Sequence, residues 1–188
     1  MIPIFISGPA VEPVTLDDMK AYLRVDGDDG TQDDLVAGLV KAARLMVEAA
    51  SRRILIEQRW RVVLDRWPSG GTILLPLAPL IAVDGITLTD AAGNPSGVPA
   101  SAFEADLVSD PPRIAVTGAP EPGRARHGIS IAVRAGFGTG PEAVPGPLKL
   151  AVRILVAHWF ENRGDVTGAQ ILPPEALALV APFQRARL

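Results

Sequence analysis

The chain has 188 residues, of which 48% are hydrophobic, and a formal net charge of −3. This length and apolar content suit one packed domain, or one domain with an inserted subdomain, and argue against a globally disordered chain. The absence of cysteine excludes disulfides, zinc–thiolate sites and cysteine nucleophiles. The acidic balance does not favour nucleic-acid binding, and no signal peptide or membrane-spanning helix is indicated, so we expect a soluble protein.

The N-terminal part of the chain predicts two helices separated by an acidic turn. Thr15 is a good N-cap residue for a short helix, and Thr31 is predicted to cap a longer amphipathic helix that continues to about Arg53. The turn DGDDG, residues 26–30, raises the question of calcium binding, but its acidic residues do not fit the spacing of an EF-hand loop. We interpret it as a solvated acidic turn.

After Arg53 the hydrophobic period changes from that of a helix to that of a strand. Short alternating segments, separated by turns rich in glycine and proline, predict about six antiparallel strands over residues 55–136. Helical patterns return with PGPLKLAVRILVAHWFENRG, residues 145–164, and with LPPEALALVAPFQRARL, residues 172–188.

This order of elements predicts an α+β fold. The helices of both chain ends, in residues 1–54 and 141–188, are expected to form a small helical bundle. An antiparallel β subdomain is expected to be inserted between them, in residues 55–140. Each helical pair is too short to bury its apolar face alone, which is why we expect the two pairs to pack together.

The segment AGFGTG, residues 135–140, joins the last predicted strand to a helix, as phosphate-binding loops do. Its glycines do not have the spacing of either nucleotide-binding motif, because Pro141 stands where the dinucleotide fingerprint needs its third glycine. The prolines that follow lack the backbone N–H groups that would bind phosphate. We interpret the segment as a structural joint, not a nucleotide site.

No pattern of catalytic or metal-binding residues is present in the sequence. His127 lies in a charged turn and His158 on an apolar helix, without the HExxH pattern of a zinc site or a serine nucleophile motif. Trp60 shares the apolar face of a strand, which favours a core position over base stacking. We therefore expect no enzyme activity, no metal and no cofactor.

The charge is distributed unevenly along the chain. Residues 12–34 contain eight acidic and two basic residues, whereas residues 145–188 contain five basic and three acidic ones. Opposed charge of this kind suits head-to-tail or layered assembly. Ordinary solvated helix surface explains it as well, and on charge alone that simpler interpretation is preferred.

Three segments resemble one protein family. VTLDDMKAYLRVDGDDGTQDDLVAGLVKAARLMVEAASRR, residues 14–53, resembles the opening of the head–tail connector, or adaptor, proteins of tailed phages. RAGFGTGPEAVPGPLKLAVRILVAHWFENR, residues 134–163, is similar to a later segment of that family, with Phe137 and Phe160 in place of tyrosine. The tail, residues 172–188, matches the family's closing pattern. The β insert agrees mainly in length and in LPLAPLIAVDGITLTDAAG, residues 75–93.

The resemblance implies a structural role in virion assembly. Connectors of this family form an oligomeric ring, typically a dodecamer, that joins the portal protein to the tail-side stopper or terminator protein and continues the DNA channel. DNA would pass through without sequence-specific binding. The protein would be assembled in the bacterial cytoplasm and lie at the head–tail junction of a phage, a prophage particle or a gene transfer agent. Two alternatives stay open: a small-molecule-binding β module, and an enzyme with a site between subunits.

The C-terminal tail is the predicted portal contact. It is apolar, ends in basic residues and follows two prolines, so it could swing as an arm and dock on the portal. The predicted contact residues are Leu177, Val180, Phe183, Arg185, Arg187 and Leu188. The alternative is that the tail closes the bundle of its own subunit.

Overall fold

A computed structural model describes residues 1–26, 30–162 and 172–184 of the chain. The chain divides into two compact units. The β unit comprises Met1–Pro9 and Glu57–Phe137, and the helical unit comprises Ala10–Ile56 and Gly138–Leu188.

The helical unit contains four α-helices in its described residues. They are α1 (Leu16–Leu23), α2 (Asp33–Ser51), α3 (Gly146–Glu161) and α4 (Pro174–Val180). The α2 helix packs against α3, and α3 packs against α4, so both ends of the chain contribute to one bundle. Their buried side chains follow helical periodicity, as one-sided burial requires. They include Val36, Val40, Ala43, Val47, Leu148, Val152, Leu155, Ala176 and Val180.

Local signals set the ends of the first two helices. The Thr15 side chain accepts a 3.1 Å hydrogen bond from the N–H of Asp18, as an N-cap does. Arg24 and Arg52 follow α1 and α2 in the left-handed conformation, with φ of 56° and 57°. The prediction that Thr31 caps the second helix was wrong: a 3₁₀ turn over Gly30–Gln32 precedes α2, and Gln32 is the N-cap residue. A tight turn there delays the start of the α-helix by one residue.

The β unit contains two antiparallel sheets. Its strands are β1 (Ile2–Ser7), β2 (Gln58–Leu64), β3 (Thr72–Leu74), β4 (Leu80–Thr89), β5 (Pro95–Gly97), β6 (Phe103–Asp106), β7 (Arg113–Val116) and β8 (Ile129–Ala135). The larger sheet has the strand order β1-β2-β8-β4-β5, and the smaller has β3-β7-β6. In the larger sheet Val62 lies opposite Ile131 and Leu64 opposite Ile129, all buried. Alternation of buried and exposed positions therefore gives this sheet one core face.

The α+β prediction is confirmed, but the first residues of the chain belong to the β unit and not to the predicted helical bundle. Residues 1–54 were assigned to the helical bundle, whereas Met1–Pro9 belongs to the β unit. Ile2–Ser7 is a strand that pairs with β2, for example Ile4 with Arg61. The segment IPIFIS has no regular apolar–polar alternation, and its partner lies more than fifty residues away along the chain. Only long-range pairing makes it a strand.

The glycine-rich segment is a joint in the chain, as predicted. Gly136 has φ of 142°, a conformation that side chains rarely adopt, and its N–H donates a 2.9 Å hydrogen bond to the Pro79 carbonyl. A Cβ added to Gly138 would lie 2.5 Å from the Cβ of Ala143. A 3₁₀ turn follows over Pro141–Ala143, and Pro145 precedes the first residue of α3. Glycines make the bend and proline sets the helix start.

Candidate assembly surfaces

A buried ion-pair network holds the helical unit together. The Arg44 side chain is 4% exposed, and it donates from Nε to Glu12 at 2.7 Å and from Nη1 to Glu48 at 2.9 Å. Glu48 in turn accepts a 2.9 Å hydrogen bond from the N–H of Leu55. The network therefore ties the segment before α1 and the segment after α2 to α2 itself. Its charges are paired and hydrogen-bonded, which is what buried charges require, so its role is structural.

In the acidic part of the helical unit, two exposed carboxylates form no ion pair with the residues that the structure describes. Buried Lys20 on α1 donates a 2.8 Å hydrogen bond to Asp33 at the start of α2. Asp17, one turn before Lys20, and Asp34, next to Asp33, are exposed. Neither makes an ion pair with any residue that the structure describes. Leu35, beside Asp34, is also exposed. We call Asp17, Asp34 and Leu35 the acidic corner.

The first strand forms an exposed apolar edge of the larger sheet. β1 lies at the end of the sheet and pairs with one strand, β2. Its residues Ile2, Phe5 and Ile6 are each about half exposed. Phe5 packs edge-on against Trp60, with ring centroids 5.3 Å apart. Edge strands are usually protected by charges, prolines, bulges or covering elements. β1 carries no charged residue, but it contains Pro3 and a register shift between Phe5 and Ser7. Its half-exposed apolar side chains leave apolar surface that another chain can cover.

Two exposed arginines stand beside this edge. Arg61 pairs with Ile4 and Arg59 with Ser7, so both arginines lie on the same face of the sheet as those β1 residues. Within the described part of the chain, neither arginine has an acidic partner. We call Ile2, Ile6, Arg59 and Arg61 the basic edge.

The next arginine across the sheet is different. Arg134, directly opposite Arg59, donates to Asp84 at 2.9 Å and lies 3.6 Å from Glu57. The hydrogen bond and charge of Asp84, with a smaller contribution from Glu57, raise the pKa of Arg134 above its ordinary value. Among the residues that the structure describes, Arg134 is thus neutralised, whereas Arg59 and Arg61, which are nearest the free edge, meet no carboxylate.

The turn between β6 and β7 presents a fully exposed apolar residue. The Asp106 carboxylate accepts hydrogen bonds from the N–H groups of Val108 and Ser109, from the Ser109 hydroxyl and from Arg113 Nε. These bonds, that of the Ser109 hydroxyl first, hold the pKa of Asp106 well below its usual range. Val108 at the tip is 95% exposed. The sequence SDPP, residues 109–112, predicts a turn at this place. The side-chain bonds of Asp106 that order it are not visible from the spacing of the residues.

The predicted portal-contact residues differ in burial, and three of them are not described by the structure. Val180 is completely buried, Leu177 is 45% exposed and Phe183 is half-buried. Arg185, Arg187 and Leu188 lie outside the described residues. The Phe183 carbonyl accepts a 3.0 Å hydrogen bond from Arg53 Nε. In this structure α4 therefore closes the bundle of its own subunit through Val180, and Leu177 faces outward.

The two histidines have ordinary structural surroundings. His127 has φ of 52°, and its backbone N–H donates a 2.7 Å hydrogen bond to Asp65, which lowers the pKa of that carboxyl. His158 is exposed. Over the described ranges, no three histidine or acidic side chains converge as a metal site would need. No helix in those ranges is both long and apolar enough to cross a bilayer.

Solved structures from gene transfer agent (GTA) particles match the whole chain. A chain in the neck of an empty GTA particle, computed with C6 symmetry, is 27% identical with a TM-score of 0.81. A chain of a native GTA virion is 29% identical with a TM-score of 0.82, and one from a native GTA neck computed with C12 symmetry is 29% identical with a TM-score of 0.76. Each match covers 100% of this chain and 97% of the other. This chain has the fold of a GTA neck component.

The structurally similar chains of GTA necks confirm the resemblance that the sequence motifs indicated. No protein-family model and no curated protein matches the sequence. The match to the GTA necks therefore rests on the fold, at identities of 27–29% over the whole chain. It includes the β insert, where the sequence motifs were weakest.

Proposed function

We propose that this protein is a head–tail connector, or adaptor, in the neck of a gene transfer agent or related phage-like particle. The observation that carries the proposal is the end-to-end similarity to chains of GTA necks. The proposal therefore assigns no enzymatic activity.

The connector would work as a ring of identical copies. Similar chains occur in necks computed with C6 and C12 symmetry, which supports a cyclic assembly and favours twelve copies. Such a ring would join the portal protein to a tail-side stopper or terminator protein and continue the channel for DNA. DNA must slide through the channel, so the ring would lack tight or sequence-specific phosphate contacts, consistent with the net charge of −3.

The contact with the portal would involve the C-terminal end of the chain. Because Val180 is buried against the bundle of its own subunit, the surface available for the portal on α4 is its outward side, where Leu177 lies. The basic residues Arg185 and Arg187 follow in the sequence. They would pair with acidic groups of the portal at the rim of the contact.

Deleting the coding sequence in a bacterium that produces the particle tests the connector role. We expect DNA-filled heads that lack tails, and tailed particles when the wild-type chain is supplied from a plasmid. Electron microscopy and a gene-transfer assay give the two readouts. Normal tailed particles from the deletion strain would contradict the proposal.

A further inference from the structure

Two surfaces of this chain are unlike each other and complementary in charge. The basic edge of the β unit combines exposed Ile2 and Ile6 with Arg59 and Arg61. The acidic corner of the helical unit combines exposed Leu35 with Asp17 and Asp34. Each surface pairs exposed apolar area with charges of one sign that the described residues of the same chain leave unpaired.

A ring of more than two copies requires such a pair of surfaces. In a cyclic assembly every copy contacts its two neighbours through different patches, because only a two-fold dimer uses the same patch on both subunits. The chain must therefore carry two distinct surfaces that fit one another. The basic edge and the acidic corner meet that requirement in both charge and apolar character.

On this basis, and resting on the proposed ring, we infer that the basic edge of one copy docks on the acidic corner of the next copy. Arg59 and Arg61 would face Asp17 and Asp34 across the contact, and Ile2 and Ile6 would cover Leu35. The exposed apolar residues would supply much of the affinity, and the charges would fix which surfaces meet.

The apolar residues of the basic edge favour a protein partner over a nucleic acid. Arginines on a sheet could also contact the phosphates of DNA in the channel. A phosphate backbone, however, would leave Ile2 and Ile6 of the free edge in water. A second copy of the chain covers both the charges and the apolar edge, so the observations favour contact between subunits.

Reciprocal charge reversal tests the inference with the full-length chain. One variant carries Arg59→Glu and Arg61→Glu, and the other carries Asp17→Lys and Asp34→Lys. Each variant alone would bring like charges together at every contact, and we expect assembly at least about a hundred-fold weaker than wild type in sedimentation velocity. The two variants mixed in equal amounts would form rings again. In an alternating ring, the glutamates of one variant meet the lysines of the other, and the remaining contacts are of wild-type charge.

The matched control reverses two exposed arginines outside the basic edge, Arg66→Glu and Arg124→Glu. It changes the net charge by the same amount as the first variant and should form rings like wild type. Circular dichroism and thermal unfolding verify that every variant is folded. If a reversal variant does not fold, the neutral variants Arg59→Gln with Arg61→Gln, and Asp17→Asn with Asp34→Asn, replace it and should each weaken assembly.

The outcomes separate this inference from the proposed function. A wild-type chain that stays monomeric at every concentration, alone and in particle necks, would overturn the ring and the inference together. Wild-type rings with normal assembly of both reversal variants would overturn the inference alone. Two further results would overturn the inference alone: a mixture of the two variants that forms no rings, and a control variant whose assembly is weakened as much as that of the reversal variants. A third is that reversal of Arg59 and Arg61 removes DNA binding but leaves the ring intact.

Discussion

Arg53 and Phe183 are joined by a hydrogen bond across 130 positions of the chain, from the arginine Nε to the phenylalanine carbonyl at 3.0 Å. The bond connects the end of the N-terminal helical segment to the last described turn. Together with the burial of Ala176 and Val180, it makes α4 part of the helical unit. The C-terminal segment is thus anchored up to Phe183.

Removing the Arg53 side chain should loosen this anchor. We expect Arg53→Ala to lower the free energy of unfolding by about 1–2 kcal/mol, because a charged donor to a partly buried carbonyl is lost. Hydrogen exchange in α4 should be faster in this variant than in the wild-type chain, with a smaller change in the strands of the β unit. Arg52→Ala, the neighbouring substitution, is the control. Unchanged exchange in α4 would show that the bond does not hold the segment.

Neighbouring positions of α4 should respond differently to truncation of their side chains. Val180→Ala should destabilise the chain by about 1–3 kcal/mol, because it opens a cavity in the bundle. Leu177→Ala should change stability by less than about 0.5 kcal/mol, since its side chain faces outward. Chemical denaturation of both variants gives the comparison. Equal effects would mean that α4 does not pack as described.

Charge reversal in the basic C-terminal tail tests the proposed contact with the portal protein. Replacing Arg185 and Arg187 by glutamate should weaken binding to the portal protein without changing the stability of the chain, and the wild-type interaction should weaken as salt increases. A pull-down with purified portal at two salt concentrations measures both effects. Truncation after Leu172 is a less specific test, since it also removes the buried residues of α4. Wild-type binding by the glutamate variant would exclude the tail as the contact.

Asp106 gives a pH-dependent prediction. Its pKa is lowered from the ordinary value of 3.8, so the charged form stabilises the turn, and that contribution is fully present above the ordinary value. The contribution is lost as the pH falls below 3.8 toward the folded-state pKa. The stability difference between wild type and Asp106→Asn should therefore be constant from pH 5 to 8, roughly the range above the carboxyl titration, and should shrink in acid. A difference that grows in acid would contradict this sign.

The channel prediction concerns binding to duplex DNA. We expect no binding at or below about micromolar concentration at physiological salt, because a ring through which DNA slides cannot hold phosphates tightly. Fluorescence anisotropy with a labelled duplex measures it, with a known basic DNA-binding domain as the positive control. Sub-micromolar affinity would count against free passage of DNA.

The sequence by itself determined the α+β composition, because the change of hydrophobic period after Arg53 is a local property of the chain. It also determined the cap at Thr15 and the bend at Gly136, since each depends on the residue type at one position. The order of the motifs was sufficient to indicate a connector, and solved GTA necks share the fold.

Only the tertiary structure decided which residues pair over long distances. The segment at Ile2–Ser7 becomes a strand because β2 offers it hydrogen bonds, and no local pattern predicts that partner. The same holds for exposure: Val180 and Leu177 are both apolar and close in sequence, yet packing buries Val180 and leaves Leu177 45% exposed. Arg59 and Arg134 are both arginines on one face, but within the described ranges only Arg134 meets carboxylates. Such differences arise from contacts between distant segments, and a linear pattern carries no information about them.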